Sequence, residues 1–175
     1  MEFSTEHWKG IADHCRDKNL VFLSSAFSKE AVILLDELKM PAWKIASGEV
    51  SNTELLSEMA QTNKPILISS GMSSISEIRQ AIDIVEGKSP FGVLQCTSAY
   101  PCPPEKLGLN LINIYRDIFD CQVGLSDHTG VIFSGLAAAT LGIDILEVHV
   151  TLSKEMFGPD TVSYTHLTLP TSDLV

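Results

Sequence analysis

The sequence predicts an α/β chain of the incomplete (β/α)8 barrel type. Three observations predict it. Apolar strand-like runs and helix-like segments alternate six times, with a period of roughly 22 to 30 residues. The strand runs are continuously apolar rather than alternating, which means burial on both faces, as in a parallel sheet covered by helices. Every strand run ends in small polar or charged residues: Ser24-Ser25, Ser47-Gly-Glu49, Ser69-Ser70-Gly71, Thr97-Ser98, Ser126-Asp-His128 and His149-Val-Thr151. In a barrel all strand C-termini face one shared site, whereas in an open sheet only those at the switch point do. A full barrel takes about 250 residues, so a chain of 175 residues holds about six βα units and falls two short.

Each element has its own local signal. Residues 5–18 read as a helix, because Trp8, Ile11, Ala12 and Cys15 recur at helical spacing, with Asn19 as C-cap. Leu20-Val-Phe-Leu23 reads as a short buried strand. Ser28 caps a helix running to Leu38, and Trp43-Lys-Ile-Ala46 is the next strand. Asn52 caps a helix carrying Leu55, Leu56 and Met59 on one face. Pro65-Ile-Leu-Ile68 is a strand, and Ser74 with Glu77 has capping-box spacing at the head of a helix to Glu86. Phe91-Gly-Val-Leu-Gln95 follows, then a Pro-rich loop, Tyr100 to Pro104, and a helix from Leu109 to Phe119. The apolar lead-in at Val123 ends in Ser126, Asp127, His128 and Thr129, and the segment Val131 to Leu141 reads as a helix. The last strand lies in Asp144-Ile-Leu-Glu-Val-His-Val-Thr151.

Composition narrows the function. A formal charge of −10 argues against nucleic acid and anionic membrane surfaces, though not against a small anion held by local donors. Cys15, Cys96, Cys102 and Cys121 form no CxxC pair, and their spacing fits neither a zinc knuckle nor a disulfide framework. They read as reduced thiols of a cytoplasmic protein, with Cys102, between prolines, the one expected to be exposed. The N-terminus is too polar for a signal peptide, and no apolar run approaches the length of a membrane span. Two strand tips each carry a histidine with acidic and hydroxyl neighbours, a pattern able to hold a divalent cation.

Five strand-end motifs add up to a resemblance. Lys44-Ile-Ala-Ser-Gly-Glu49, Ile68-Ser-Ser-Gly-Met72, Gln95-Cys-Thr-Ser-Ala-Tyr-Pro101, Gly124-Leu-Ser-Asp-His-Thr129, and Glu147-Val-His-Val-Thr151 with Gly158-Pro-Asp160 resemble the sialic acid synthase family. The match covers residues 1–160 in order. It implies a (β/α)8 barrel followed by a small antifreeze-like domain, in a homodimer. It implies condensation of phosphoenolpyruvate with an N-acetylated aminohexose, giving a nine-carbon 2-keto acid and phosphate, with manganese or magnesium taking part.

The resemblance also implies roles. His128 and His149 match the metal ligands. Ser25, Lys44, Ser47, Ser69, Ser98 and Ser126 match positions for phosphoenolpyruvate. Glu49, Tyr100 and Asp160 match positions facing the sugar, and Glu49 is the proton-transfer candidate. Asp127 is expected to orient His128, and Glu147 to orient His149. Two departures weaken binding more than they change the reaction. Ser24-Ser-Ala-Phe27 stands where the family often has Ser-Thr-Pro, and Ser98 where some members have asparagine.

The resemblance further implies two earlier βα units bearing a glutamate and a lysine, and a downstream arginine in the small domain. Residues 161–175 break the strand–helix rhythm, and Ser163-Tyr-Thr-His-Leu-Thr-Leu-Pro-Thr171 resembles a translated sequencing adapter. That tail is expected to be non-native, and no role falls on His166. A chain so cut is expected to be weakly active or inactive and poorly soluble, because an open barrel leaves sheet edges unpaired. The rival readings are another phosphoenolpyruvate-dependent sugar-acid synthase, or a fragment that binds ligand without turnover.

Overall fold

A computed structural model of the chain describes residues 3–153 and 155–158. Asp160 and the expected tail, residues 161–175, lie outside the described residues. The elements run in order as α1 (Thr5–Asp17), α2 (Lys29–Glu37), β1 (Trp43–Ile45), α3 (Thr53–Ala60), β2 (Ile66–Ser69), α4 (Ile75–Val85), β3 (Phe91–Cys96), α5 (Asn110–Phe119), β4 (Gln122–Asp127), α6 (Ile132–Thr140) and β5 (Ile145–Val148). Strand order in the five-stranded sheet follows chain order. Parallel strands in sequence order, each crossover a helix, are the (β/α)8 type of fold in incomplete form. The chain divides into two compact units, residues 1–93 and 94–175.

In the first unit the helices start where their capping residues stand. Ser28 and Asn52 accept from the backbone N–H of Ala31 and Leu55, and Ser74 with Glu77 closes a full capping box. Asn19, read as a C-cap, falls one residue beyond the cap Lys18, in the left-handed conformation common just past helix ends. β1 pairs with β2 in parallel, Trp43 opposite Ile66 and Ile45 opposite Ile68. Trp43, Ile45, Ile66, Ile68, Leu56 and Met59 are fully buried. Trp43 Nε1 donates to Thr62 Oγ1 at 2.7 Å, and that hydroxyl donates to Met59 O at 2.7 Å. The indole is thus both core and hydrogen-bonded.

One expected strand does not form. Leu20–Leu23 carries no ladder, and only Ser25 makes an isolated parallel bridge to Lys44. An apolar run becomes a strand only when neighbours pair with it, and among the described residues this one has a single bridge on one side. Leu20 and Val21 stay 65% and 71% exposed.

In the second unit β3 and β4 are buried almost end to end, as their unbroken apolar runs demand. β5 pairs in parallel with β4, Ser126 opposite Glu147. Arg116 on α5 donates to the carbonyls of Leu141 and Gly142, neutralising the open C-terminal end of α6. Gly124 is required by close approach, since a methyl there would run into Ile145 O and Leu94 Cδ2. Gly124→Ala is expected to cost about 1–3 kcal/mol, read as a lower urea midpoint. An unchanged midpoint would mean that β4 and β5 part easily.

All four cysteines are free of disulfides. Cys102 corrects the sequence reading: it is 2% exposed. Its N–H donates to His128 O at 2.9 Å, and burial pushes the thiol pKa up. Among the described residues no helix is long and apolar enough to cross a membrane.

Candidate active site

The sequence-selected side chains fall in both units. In the first unit, register decides who meets whom. Lys44 pairs with Leu67, so its side chain shares a face with Leu67 and Ser69 and leaves the opposite face to Trp43 and Ile45. Lys44 Nζ donates to Ser69 Oγ at 2.8 Å and to Ile45 O at 3.1 Å. Ser69 is 2% exposed, while Lys44 and Ser25, joined by the isolated bridge, are half-buried. β1 then runs into a single 3-10 turn, Ser47–Glu49. Glu49 is half-buried there, and its Oε2 accepts from Asn52 Nδ2 at 2.9 Å, so the cap of α3 also aims the carboxylate.

In the second unit His128 is the centre. It is 6% exposed. Its Nδ1 lies 2.9 Å from the carbonyl oxygen of Thr97. A carbonyl only accepts, so that bond puts the ring proton on Nδ1 and leaves a lone pair on Nε2. Tyr100 Oη and Ser126 Oγ lie 3.4 and 3.5 Å from Nε2. The Tyr100 ring stacks on His128 with centroids 4.3 Å apart. His149 stands edge-on to His128 at 4.7 Å and tilted to Tyr100 at 5.8 Å. Ser126 Oγ donates to Glu147 Oε1 at 2.5 Å, as their register dictates. Ser98 is exposed in the loop after β3.

Asp127 is held at the head of α6. Its Oδ1 accepts from Thr129 N at 2.9 Å and its Oδ2 from Ser134 Oγ at 2.5 Å, both at the head of α6. Successive strand residues point to opposite faces, so Asp127 and Ser126 face apart. The group on Nδ1 is the Thr97 carbonyl, which sequence reasoning missed because a backbone acceptor has no residue signature. Glu147 accepts from Ser126 through Oε1.

Desolvation pushes the His128 pKa below the ordinary 6.5, and His149 nearby adds to this, against the opposing pull of the Thr97 carbonyl, Glu147 and Asp127. Between that lowered value and 6.5 the unfolded chain binds a proton that the folded chain refuses. Stability is therefore full above pH 6.5 and falls as pH drops below it. His128→Asn is expected to flatten the loss of thermal midpoint between about pH 7 and pH 5. An identical slope in the variant would remove His128 as its source.

The donor set suits a divalent cation. Nε2 of His128 has a lone pair, and His149 supplies a second imidazole beside it. Among the described residues no group of three or more His, Cys, Asp and Glu side chains gathers as a metal cage. Two imidazoles alone leave positions open for water and substrate oxygens.

Residues 1–169 match the NeuB family. The chain belongs to the NeuB family. It is 37% identical over 164 residues to the N,N'-diacetyllegionaminic acid synthase of Campylobacter jejuni, covering 91% of this chain and 49% of that protein. It is 37% identical over 162 residues to the human N-acetylneuraminate-9-phosphate synthase, covering 91% and 45%. Among solved structures it matches the N-acetylneuraminic acid synthetase of Leptospira borgpetersenii serovar Hardjo-bovis with a TM-score of 0.89 at 30% identity, covering 94% of this chain and 58% of that one. This NeuB chain thus spans about half the length of the curated relatives it matches.

Proposed function

We propose that this NeuB segment belongs to an enzyme that condenses phosphoenolpyruvate with the open-chain aldehyde of an N-acetylated aminohexose. The observation that carries the reading is the His128–His149 pair, with His128 tied through Nδ1 to Thr97 and its Nε2 lone pair facing Tyr100 Oη and Ser126 Oγ. Similarity to relatives named as legionaminic acid and N-acetylneuraminate-9-phosphate synthases supports it.

The reaction balances as follows. A carbon–carbon bond forms between C3 of phosphoenolpyruvate and the aldehyde carbon, and the aldehyde oxygen takes up a proton. Water adds to C2 and loses a proton. The C2–O bond to phosphate then breaks as the new C2 hydroxyl gives up its proton to the departing phosphate, leaving a nine-carbon 2-keto acid and phosphate.

In this assignment Lys44 supplies a cation, and Ser69 and Ser47 supply hydroxyl donors, to the carboxylate and phosphate of the trianion. Ser25, Ser98 and Ser126 are further donors of the same kind. Glu49 takes the proton from the attacking water, the role its half-buried carboxylate is suited to. Tyr100 and Asp160 face the sugar. His128 through Nε2, and His149, would hold manganese or magnesium, whose chemistry is Lewis-acid polarisation of the aldehyde.

The test is phosphate release from phosphoenolpyruvate with N-acetylmannosamine, or its diamino-dideoxy relatives, and manganese. It is run on this chain and on a chimera in which the chain replaces the aligned segment of the C. jejuni enzyme. Metal-dependent release by the chimera upholds the reading. A folded chimera that releases phosphate only with aldose phosphates would move the assignment to the synthases of shorter sugar acids.

A further inference from the structure

We infer that Thr97 and Gln95 are positioning residues for His128, acting through the loop between β3 and α5, which clamps the imidazole in its Nδ1–H form. The inference deepens the proposed function, and rests on that reading only where it speaks of metal.

The loop grips His128 at three points. The Thr97 carbonyl accepts the ring proton at 2.9 Å, the Tyr100 ring covers one face of the imidazole, and the Cys102 N–H donates to the His128 carbonyl at 2.9 Å. Ring, face and backbone are thus fixed by one segment, residues 97–102. A loop can hold geometry only if it is itself held, and this one is closed on itself by side chains. Thr97 Oγ1 donates to Lys106 O at 2.9 Å. Gln95, 3% exposed, donates from Nε2 to Leu107 O at 3.1 Å. Gly108 follows at φ +70°, where a Cβ would come to 2.7 Å from Gln95 Nε2. Only glycine lets the amide reach the chain there.

The chemical consequence lies at the far nitrogen. If the loop slackens, the Thr97 carbonyl leaves Nδ1 and the ring proton is free to move to Nε2. An imidazole protonated on Nε2 cannot donate that lone pair. Removing an outer partner of a ligating histidine typically costs 10- to 100-fold in metal affinity.

The experiment uses the full chain, labelled with nitrogen-15, at about pH 8, above the ordinary histidine pKa. Long-range proton–nitrogen correlation reports which ring nitrogen of His128 bears the proton, and manganese affinity is read by electron paramagnetic resonance. Wild type is expected to show the Nδ1–H form. Thr97→Val keeps the shape but removes the hydroxyl. It is expected to mix the two tautomers and to weaken manganese binding about ten-fold or more, with an unchanged far-ultraviolet spectrum. Thr97→Ser restores the hydroxyl and is expected to restore both readouts. Gln95→Glu, which replaces the donor by an acceptor, is expected to act like Thr97→Val.

Wild type protonated on Nε2 would overturn the clamp without recourse to any variant. So would a folded Thr97→Val variant with the wild-type tautomer and affinity. A wild-type chain in the Nδ1–H form that binds no manganese, with the form lost in Thr97→Val, upholds the clamp and counts against the metal reading instead.

Discussion

Turnover by a chimera carrying His128→Ala is expected to fall about a thousand-fold, the scale seen when a group stabilising transition-state charge is lost, with manganese binding weakened in parallel. The fold is expected to survive. The Thr97 carbonyl that accepts from His128 also accepts from Ala99 N at 2.8 Å, so removing the ring does not orphan it. The Tyr100 ring is 44% exposed and can turn to water. The lost hydrogen bond then costs about 1 kcal/mol, to which truncating the buried ring adds a packing cost that leaves the chain folded. Activity lost with stability kept is the signature of a group that works on substrate. Full turnover in the variant would take His128 out of the reaction. Parallel loss of activity and of the urea midpoint would make it a packing residue.

Trp43→Ala is expected to give the largest loss of stability. The indole is completely buried, and truncating such a side chain typically costs 3–5 kcal/mol, in a domain whose whole stability is about 5–15 kcal/mol. The Lys64 ammonium lies 5.5 Å above the ring centroid and loses that neighbour too. Trp43→Phe separates packing from hydrogen bonding. It keeps an aromatic ring but takes the donor from Thr62, whose hydroxyl still donates to Met59 O. The phenylalanine variant is therefore expected to lose less than half as much. Urea unfolding followed by circular dichroism compares the two. A Trp43→Ala loss below about 1 kcal/mol would show that the site collapses around the gap.

What could be read from the sequence was what local rules govern. Ser28, Asn52, and Ser74 with Glu77 each marked a helix start, because a short side-chain acceptor next to an apolar period has one common use. Continuous apolar runs gave β3 and β4 for the same reason. Leu20–Leu23 was misread because apolarity is a property of the run, whereas a strand is a property of the pair. The polar residues at the strand ends were legible as a set, but their partners were not. Lys44 meets Ser69 through a register that only pairing fixes, and His128 meets a backbone carbonyl. Cys102 was misjudged because flanking prolines suggest a surface loop, while its N–H is used to hold His128.

Strand order that follows chain order bears on how the molecule is made. Among the described residues β1 pairs with β2 and β5 with β4, with Trp43 and Ile66 partners across a single intervening helix. Loop-closure entropy is then met in small steps, none larger than one βα repeat. Such a chain can condense behind a ribosome as each repeat emerges, the newest strand adding to the one before. At every stage of synthesis the growing edge is the most recently made strand, and that is where a nascent chain would need shelter.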